Sequence, residues 1–259
     1  MALSNSRSRP SFLVIGAQKC GTTTLFSCLA AHPDIVPPLT KEIHYFDGGK
    51  EPGEDVYEAQ GEKWYLAHFP RVTKLMPRGC QTFEASPSYL YVHEAAERIA
   101  RDLPDARLLV LLRNPVDRAI SHYRHNVSKG REVLSFEQAL ESEYSRMQSS
   151  DSWQKSVYAY VDRGFYFKQL VRFQSFRDHG RLLVMDSGFF FRETRLAMRR
   201  IYSFLGVSAD YEMPVIRARN VGRARATAGA GVYADLQELY RPENAKLWNW
   251  LGEDYGWDG

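Results

Sequence analysis

The chain has 259 residues, of which 44% are hydrophobic and 25% charged. This is ordinary globular usage and excludes a disordered or low-complexity protein. Folding at this size buries roughly 70–75% of the surface the unfolded chain exposes, enough for a full core. Lys and Arg (34) exceed Asp and Glu (31) by only three, too few to mark the whole chain as a polyanion binder. The excess is local: eight arginines lie between Arg192 and Arg225, against Glu193, Asp210 and Glu212. Such a field suits an anionic ligand or a solvated face.

Residues 1–10 are polar and Ser/Arg-rich and read as a loose tail; residues 11–259 read as one domain. Phe12–Ala17 is too short for the about 7–15 residues of a signal-peptide core, and no run approaches the roughly 18 apolar residues of a membrane span. Cys20, Cys28 and Cys80 have no C-x-x-C spacing, so neither a disulfide framework nor a zinc site is expected. The expectation is a cytoplasmic chain without a membrane partner.

In chain order, Phe12–Ile15 is an apolar run ending at Gly16, the pattern of a buried parallel strand. Thr22–His32 fits a helix stopped by Pro33. Asp47–Asp55 reads as a surface loop. Leu108–Leu112 is a second buried strand, and Pro115 opens a helix to about Ser128. A helical pattern at Phe165–Phe176 precedes a third strand, Arg181–Met185, and a helix follows over Arg192–Leu205. Strands alternating with helices predict an α/β fold, a central parallel sheet with helices on both faces.

Gly16-Ala-Gln18-Lys19-Cys20-Gly21-Thr22-Thr23 joins the first strand to its helix. Such a turn offers backbone N–H groups and the positive helix end to a phosphate-like group. Its glycines have Walker A spacing, but Thr22 stands where the Walker lysine belongs. Lys19, three residues earlier, points instead to a shorter bisphosphate-like group and its bridging oxygen. Arg113 ends the second strand, where ligands of open α/β sheets lie, and Ser121 follows about two helical turns on. Arg113 suits phosphate and equally suits a structural ion pair.

Together these two segments resemble sulfotransferases that use 3′-phosphoadenosine 5′-phosphosulfate (PAPS). Gly16–Thr23 looks like their 5′-phosphosulfate loop and Arg113…Ser121 like their 3′-phosphate motif. Lys41-Glu42-Ile-His44-Tyr-Phe-Asp47 resembles a signature of the heparan sulfate branch, as does Thr82-Phe-Glu84-Ala-Ser-Pro-Ser88-Tyr89. Val221-Gly222-Arg223 resembles its late nucleotide loop, and Tyr240–Asn244 with Gly256-Trp257 its closing helices. The resemblance runs in family order over residues 12–257. It implies a P-loop-like fold, PAPS as donor and adenosine 3′,5′-bisphosphate (PAP) as product, with no metal required.

It also implies nucleotide contacts from Gln18, Lys19, Cys20, Gly21, Thr22, Thr23, Arg113, Ser121, Gly222 and Arg223. Glu42 takes the role of general base, with His44 as the other base candidate, and Lys19 stabilises the leaving oxygen. Lys41, Glu84 and Ser88 are candidates for the acceptor site; for Glu84 and Ser88 a capping or turn role is as plausible. Ala85 and Val221 stand where the branch carries lysines, which points away from heparan sulfate and toward a smaller carbohydrate or natural-product acceptor. Tyr202, Phe204, Trp248, Trp250 and Trp257 read as packing residues. Two other functions compete: a P-loop kinase or nucleotide hydrolase using Mg-ATP, with Asp186 as its Walker B candidate, and a nucleic-acid binder using Arg217, Arg219, Arg223 and Arg225. The second lacks interleaved aromatics, so no nucleic-acid partner is expected.

Overall fold

Five parallel strands form one sheet in the order β2-β3-β1-β4-β5 in a computed structural model that describes residues 8–49, 54–71, 79–148, 152–211 and 229–257. The strands are β1 (Phe12–Gly16), β2 (Ile35–Val36), β3 (Gln81–Ala85), β4 (Arg107–Leu112) and β5 (Leu182–Asp186). β1 is buried along its whole length and pairs with β3 on one side and β4 on the other, with Phe12 opposite both Phe83 and Arg107. Such two-sided burial is why its sequence is a continuous apolar run rather than an alternating one. β4 pairs in turn with β5, Leu108 opposite Leu182.

The helices are α1 (Thr22–Ala30), α2 (Val56–Leu66), α3 (His93–Asp102), α4 (Pro115–Ser128), α5 (Phe136–Met147), α6 (Ser152–Tyr158), α7 (Tyr166–Leu170), α8 (Gln174–Asp178), α9 (Ser187–Arg192), α10 (Thr194–Leu205) and α11 (Ala230–Leu251). Among the described residues no helix is long and apolar enough to cross a membrane. The core contains the Tyr202 ring expected there, 1% exposed.

Two expectations are corrected. Phe165–Phe176 is not one helix: a 3-10 turn at Val171–Phe173 separates α7 from α8. Within it Arg172 donates to the carbonyls of Leu90 and Tyr91 while Phe173 is buried in the core, and the tighter winding serves both. The predicted helix over Arg192–Leu205 is likewise broken. Asp186 caps α9 by accepting from the Phe189 amide (2.6 Å), and non-helical Glu193 precedes α10.

From β1 the chain turns to β2 at one edge, and from β3 it crosses β1 to reach β4 and β5. The direction therefore reverses about β1, and a crevice opens beyond the carboxyl ends of β1 and its neighbours.

Candidate active site

The loop after β1 is built around two crowded glycines. A Cβ on Gly16 would meet the Leu90 side chain at 2.7 Å. Gly21 has φ +99°, and a Cβ there would meet the Phe191 ring at 2.7 Å. Gly21 begins α1 with no side-chain cap and no acidic residue in the first turn. The first amides of α1 thus keep their hydrogen-bonding capacity, and nothing nearby cancels the positive helix end. The Oε1 atom of Gln18 in the same loop is buried without a hydrogen-bond partner among the described residues.

Cations converge on this loop. Burial lowers the Lys19 pKa most, and Arg113 and Arg118 push it down further, while Glu42 acts in the opposite sense. Arg113 follows β4 and has one long ion pair, 3.8 Å to Asp117. Asn114 caps α4 through the amides of Val116 (2.9 Å) and Asp117 (3.3 Å), and Pro115 suits the first helical turn. Arg118 is wholly buried; its Nη2 donates to the Tyr160 carbonyl, and its Nε and Nη1 have no partner among the described residues. Burial first, then Arg118, Arg163 and Lys19, holds the His122 pKa well down. The positive potential here thus comes from Lys and Arg.

A cavity of about 430 Å³ reaches from Lys19, Cys20 and Arg113 to Phe191, Tyr255 and Trp257. This is an ordinary size for a small-molecule or cofactor site. Trp257 packs, as expected, on Trp248 (4.8 Å), and it also lines the cavity. Phe191 follows β5 with no motif around it, and Tyr255 directly precedes the Gly256-Trp257 pair without itself belonging to a motif, so neither is legible in the sequence. Asp186, the Walker B candidate, is fully engaged. Oδ2 takes the Phe189 amide, and Oδ1 accepts from the Trp257 indole at 3.2 Å.

The loop at residues 41–47 does not line this cavity, but it brings Glu42 near enough for its charge to raise the Lys19 pKa. Lys41 Nζ lies 2.5 Å from Glu42 Oε1. His44 Nε2 lies 3.5 Å from Glu42 Oε2, and its Nδ1 is 2.7 Å from Asp47 Oδ2. Ser88 donates to Asp47 and lies 3.2 Å from His44 Nδ1. Burial pushes the Glu42 carboxyl up, but hydrogen bonds and charge from His44 and Lys41 outweigh it and hold it down at about 2. Among the described residues, the only non-glycines in left-handed backbone are Lys19 (φ 70°), Glu42 (φ 62°) and His44 (φ 58°). Each such residue costs of order 1–3 kcal/mol and persists only where its surroundings enforce it, as functional sites do.

Of the sequence-predicted residues, Gln18, Lys19, Cys20, Gly21, Thr22 and Thr23 form the loop and the start of α1, with Thr22 buried and Thr23 exposed. Cys20 is buried, with Sγ 3.7 Å from the Tyr166 hydroxyl. Ser121 is half-buried on α4, one residue before buried His122. Gly222 and Arg223 lie outside the described residues. Glu84 does not line an acceptor surface. It is 0% exposed, with both carboxylate oxygens taken by hydroxyls. Arg118 and Asp47 were not singled out from sequence; Arg118 occupies a helical position that reads equally as a surface arginine.

An uncapped helix start after β1, an arginine after β4 and a strained carboxylate whose charge reaches Lys19 sit on a P-loop-like α/β fold. A profile of the sulfotransferase domain family matches residues 9–220; the chain belongs to that family. It is 29% identical over 276 residues to heparan sulfate glucosamine 3-O-sulfotransferase 3A1 of Mus musculus, covering 98% of this chain and 66% of that enzyme, just under two thirds of its length. The sulfotransferase from Alicyclobacillus acidocaldarius has a similar structure, with a TM-score of 0.80 and 31% identity over 97% of this chain and all of that one. Mouse sulfotransferase SULT7A1 complexed with PAP shares the fold at 13% identity, with a TM-score of 0.51 over 95% of this chain and 68% of that one.

Proposed function

We propose that the protein transfers the sulfuryl group of PAPS to a hydroxyl or amine of a carbohydrate or other small acceptor, with Glu42 as general base. The observation that carries this reading is the strained trio. Lys19, Glu42 and His44 alone among described non-glycines adopt left-handed backbone, and the charge of Glu42 raises the Lys19 pKa. The named substrate of the mouse relative, a heparan sulfate glucosamine, supports a sugar hydroxyl as acceptor.

PAPS supplies the sulfuryl group and a 5′-phosphate leaving group. The cradle fits it: uncapped helix amides, Lys19 and Arg113 offer charge-assisted donors to two separate anionic ends. As the acceptor oxygen bonds to sulfur, the sulfur–oxygen bond to the 5′-phosphate breaks, and negative charge grows on the bridging oxygen that Lys19 stabilises. The acceptor proton passes to Glu42. A carboxyl held near 2 is a weak base but is ionised at every working pH. It suffices where proton removal is late, because bonding to sulfur has by then acidified the hydroxyl; a loose, phosphoryl-like transition state has that character. Electrostatics and positioning carry most of the rate.

The test is PAP release from PAPS in EDTA against a panel of sugar and small-alcohol acceptors. Turnover with at least one acceptor is expected. Turnover only with Mg-ATP would overturn the reading in favour of a kinase or hydrolase.

A further inference from the structure

Glu84 lies in the middle of a buried strand, where an apolar residue would be the ordinary choice. Its carboxylate accepts from three hydroxyls: Tyr65 Oη on Oε2 (2.7 Å), and Ser86 Oγ (2.7 Å) and Tyr89 Oη (2.5 Å) on Oε1. Two of these three hydroxyls continue outward to the catalytic loop. Ser86 Oγ accepts from the His44 amide (3.2 Å), and Tyr89 Oη accepts from the amides of Tyr45 (2.9 Å) and Phe46 (3.3 Å). Tyr65 carries no amide of that loop among the described residues. A hydroxyl has a single proton. When a buried carboxylate takes it, the lone pairs are left facing the amides, and each member of the chain fixes the direction of the next.

We propose that Glu84 is a positioning residue for sulfuryl transfer. Through Ser86 and Tyr89 it anchors the amides of residues 44–46 and so holds Glu42 and His44 in their left-handed conformation. The proposal rests on the reading of the 41–47 loop as the catalytic one. It explains why a carboxylate is tolerated at a fully buried strand position. It also separates the three hydroxyls by role, since Tyr65 only stabilises the carboxylate while Ser86 and Tyr89 transmit its orientation.

The experiment compares Glu84→Gln, Ser86→Ala, Tyr89→Phe and Tyr65→Phe in the full chain. Three quantities are read: hydrogen exchange of the 44–46 amides, PAP affinity, and single-turnover transfer at saturating PAPS to an acceptor that the wild type uses. Tyr89→Phe, Ser86→Ala and Glu84→Gln are expected to speed exchange at their loop amides. They should also slow transfer by as much as about 10²-fold, the cost of a misplaced catalytic group, with PAP affinity unchanged. Tyr65→Phe removes one bond to the same carboxylate and should leave both exchange and rate at wild type. Equal losses in Tyr65→Phe and Tyr89→Phe, or wild-type rates and exchange in Tyr89→Phe and Ser86→Ala, would overturn the proposal and leave Glu84 as a fold-stabilising group. If Glu84→Gln does not fold, the Tyr65/Tyr89 pair decides. Glu42→Gln in the same assay keeps the readings apart, because its wild-type activity would sink the base assignment while the exchange data still report on Glu84.

Discussion

The loop after β1 and the loop at residues 41–47 are organised on opposite principles. The first is backbone: a strand end, a left-handed Gly21, an uncapped helix start and cations with few internal partners, Arg113 having one ion pair at 3.8 Å. The second is side chain: a loop without regular structure whose polar groups are nearly all engaged with each other, Lys41 with Glu42, His44 with Asp47, Ser88 with Asp47. The first keeps its donors open for an anion. The second uses its bonds to hold a carboxylate in a conformation it would not otherwise adopt. Binding strength should therefore live mainly on the first and rate on the second.

The largest effect is expected from Glu42→Gln. Single-turnover transfer should fall by about 10²–10⁴-fold, the range for loss of a general base, and His44→Ala should fall less. Normal turnover by Glu42→Gln with a dead His44→Ala would move the base to the imidazole. Next is Lys19→Ala, the one residue of the loop after β1 expected to act mainly on rate. Rate measurements should show a loss of about 10²–10³-fold, as for removal of one donor to a developing oxyanion.

A pH series sharpens the comparison through two carboxyls shifted in opposite directions. Burial, offset only in part by the Tyr89, Ser86 and Tyr65 hydroxyls and reinforced by nearby Asp47, pushes Glu84 up to about 7 from 4.5. Between those values the folded chain binds more protons than the unfolded one. Stability therefore falls as pH rises through that window, by about 3 kcal/mol for this group. Glu42, held at about 2, has the reverse sign: its contribution is present above the ordinary carboxylate range and is lost as pH falls toward 2. Urea midpoints across the Glu84 window should flatten in Glu84→Gln, and an unchanged slope would show that Glu84 does not titrate there. The smallest effect is expected from Arg113→Ala, about 1.5–3 kcal/mol of PAP affinity for lost charge-assisted contacts, read by calorimetry.

The same division governs what the sequence reveals. β1, β4 and β5 are apolar runs, and the Gly16–Thr23 loop has fixed spacing, so both are legible. β3 is not, because Glu84 interrupts its apolar pattern and only tertiary hydroxyls, from Tyr65 on α2 and Tyr89 beyond the strand, make the carboxylate acceptable. Glu42 and His44 are legible only through the resemblance, since a carboxylate in a loop gives no periodic signal. Phe191, Tyr255 and Trp257 meet at the cavity from two separate segments, a convergence that local pattern does not encode.

Nucleotide affinity should depend on the loop after β1 with Arg113, and proton removal on the loop at residues 41–47. The most direct test is calorimetric titration of PAP, in EDTA, into wild type, Glu42→Gln and Arg113→Ala side by side. The account predicts wild-type affinity in Glu42→Gln and a loss of about tenfold or more in Arg113→Ala. Equal losses in both variants, or no binding by the wild type without Mg²⁺, would contradict it.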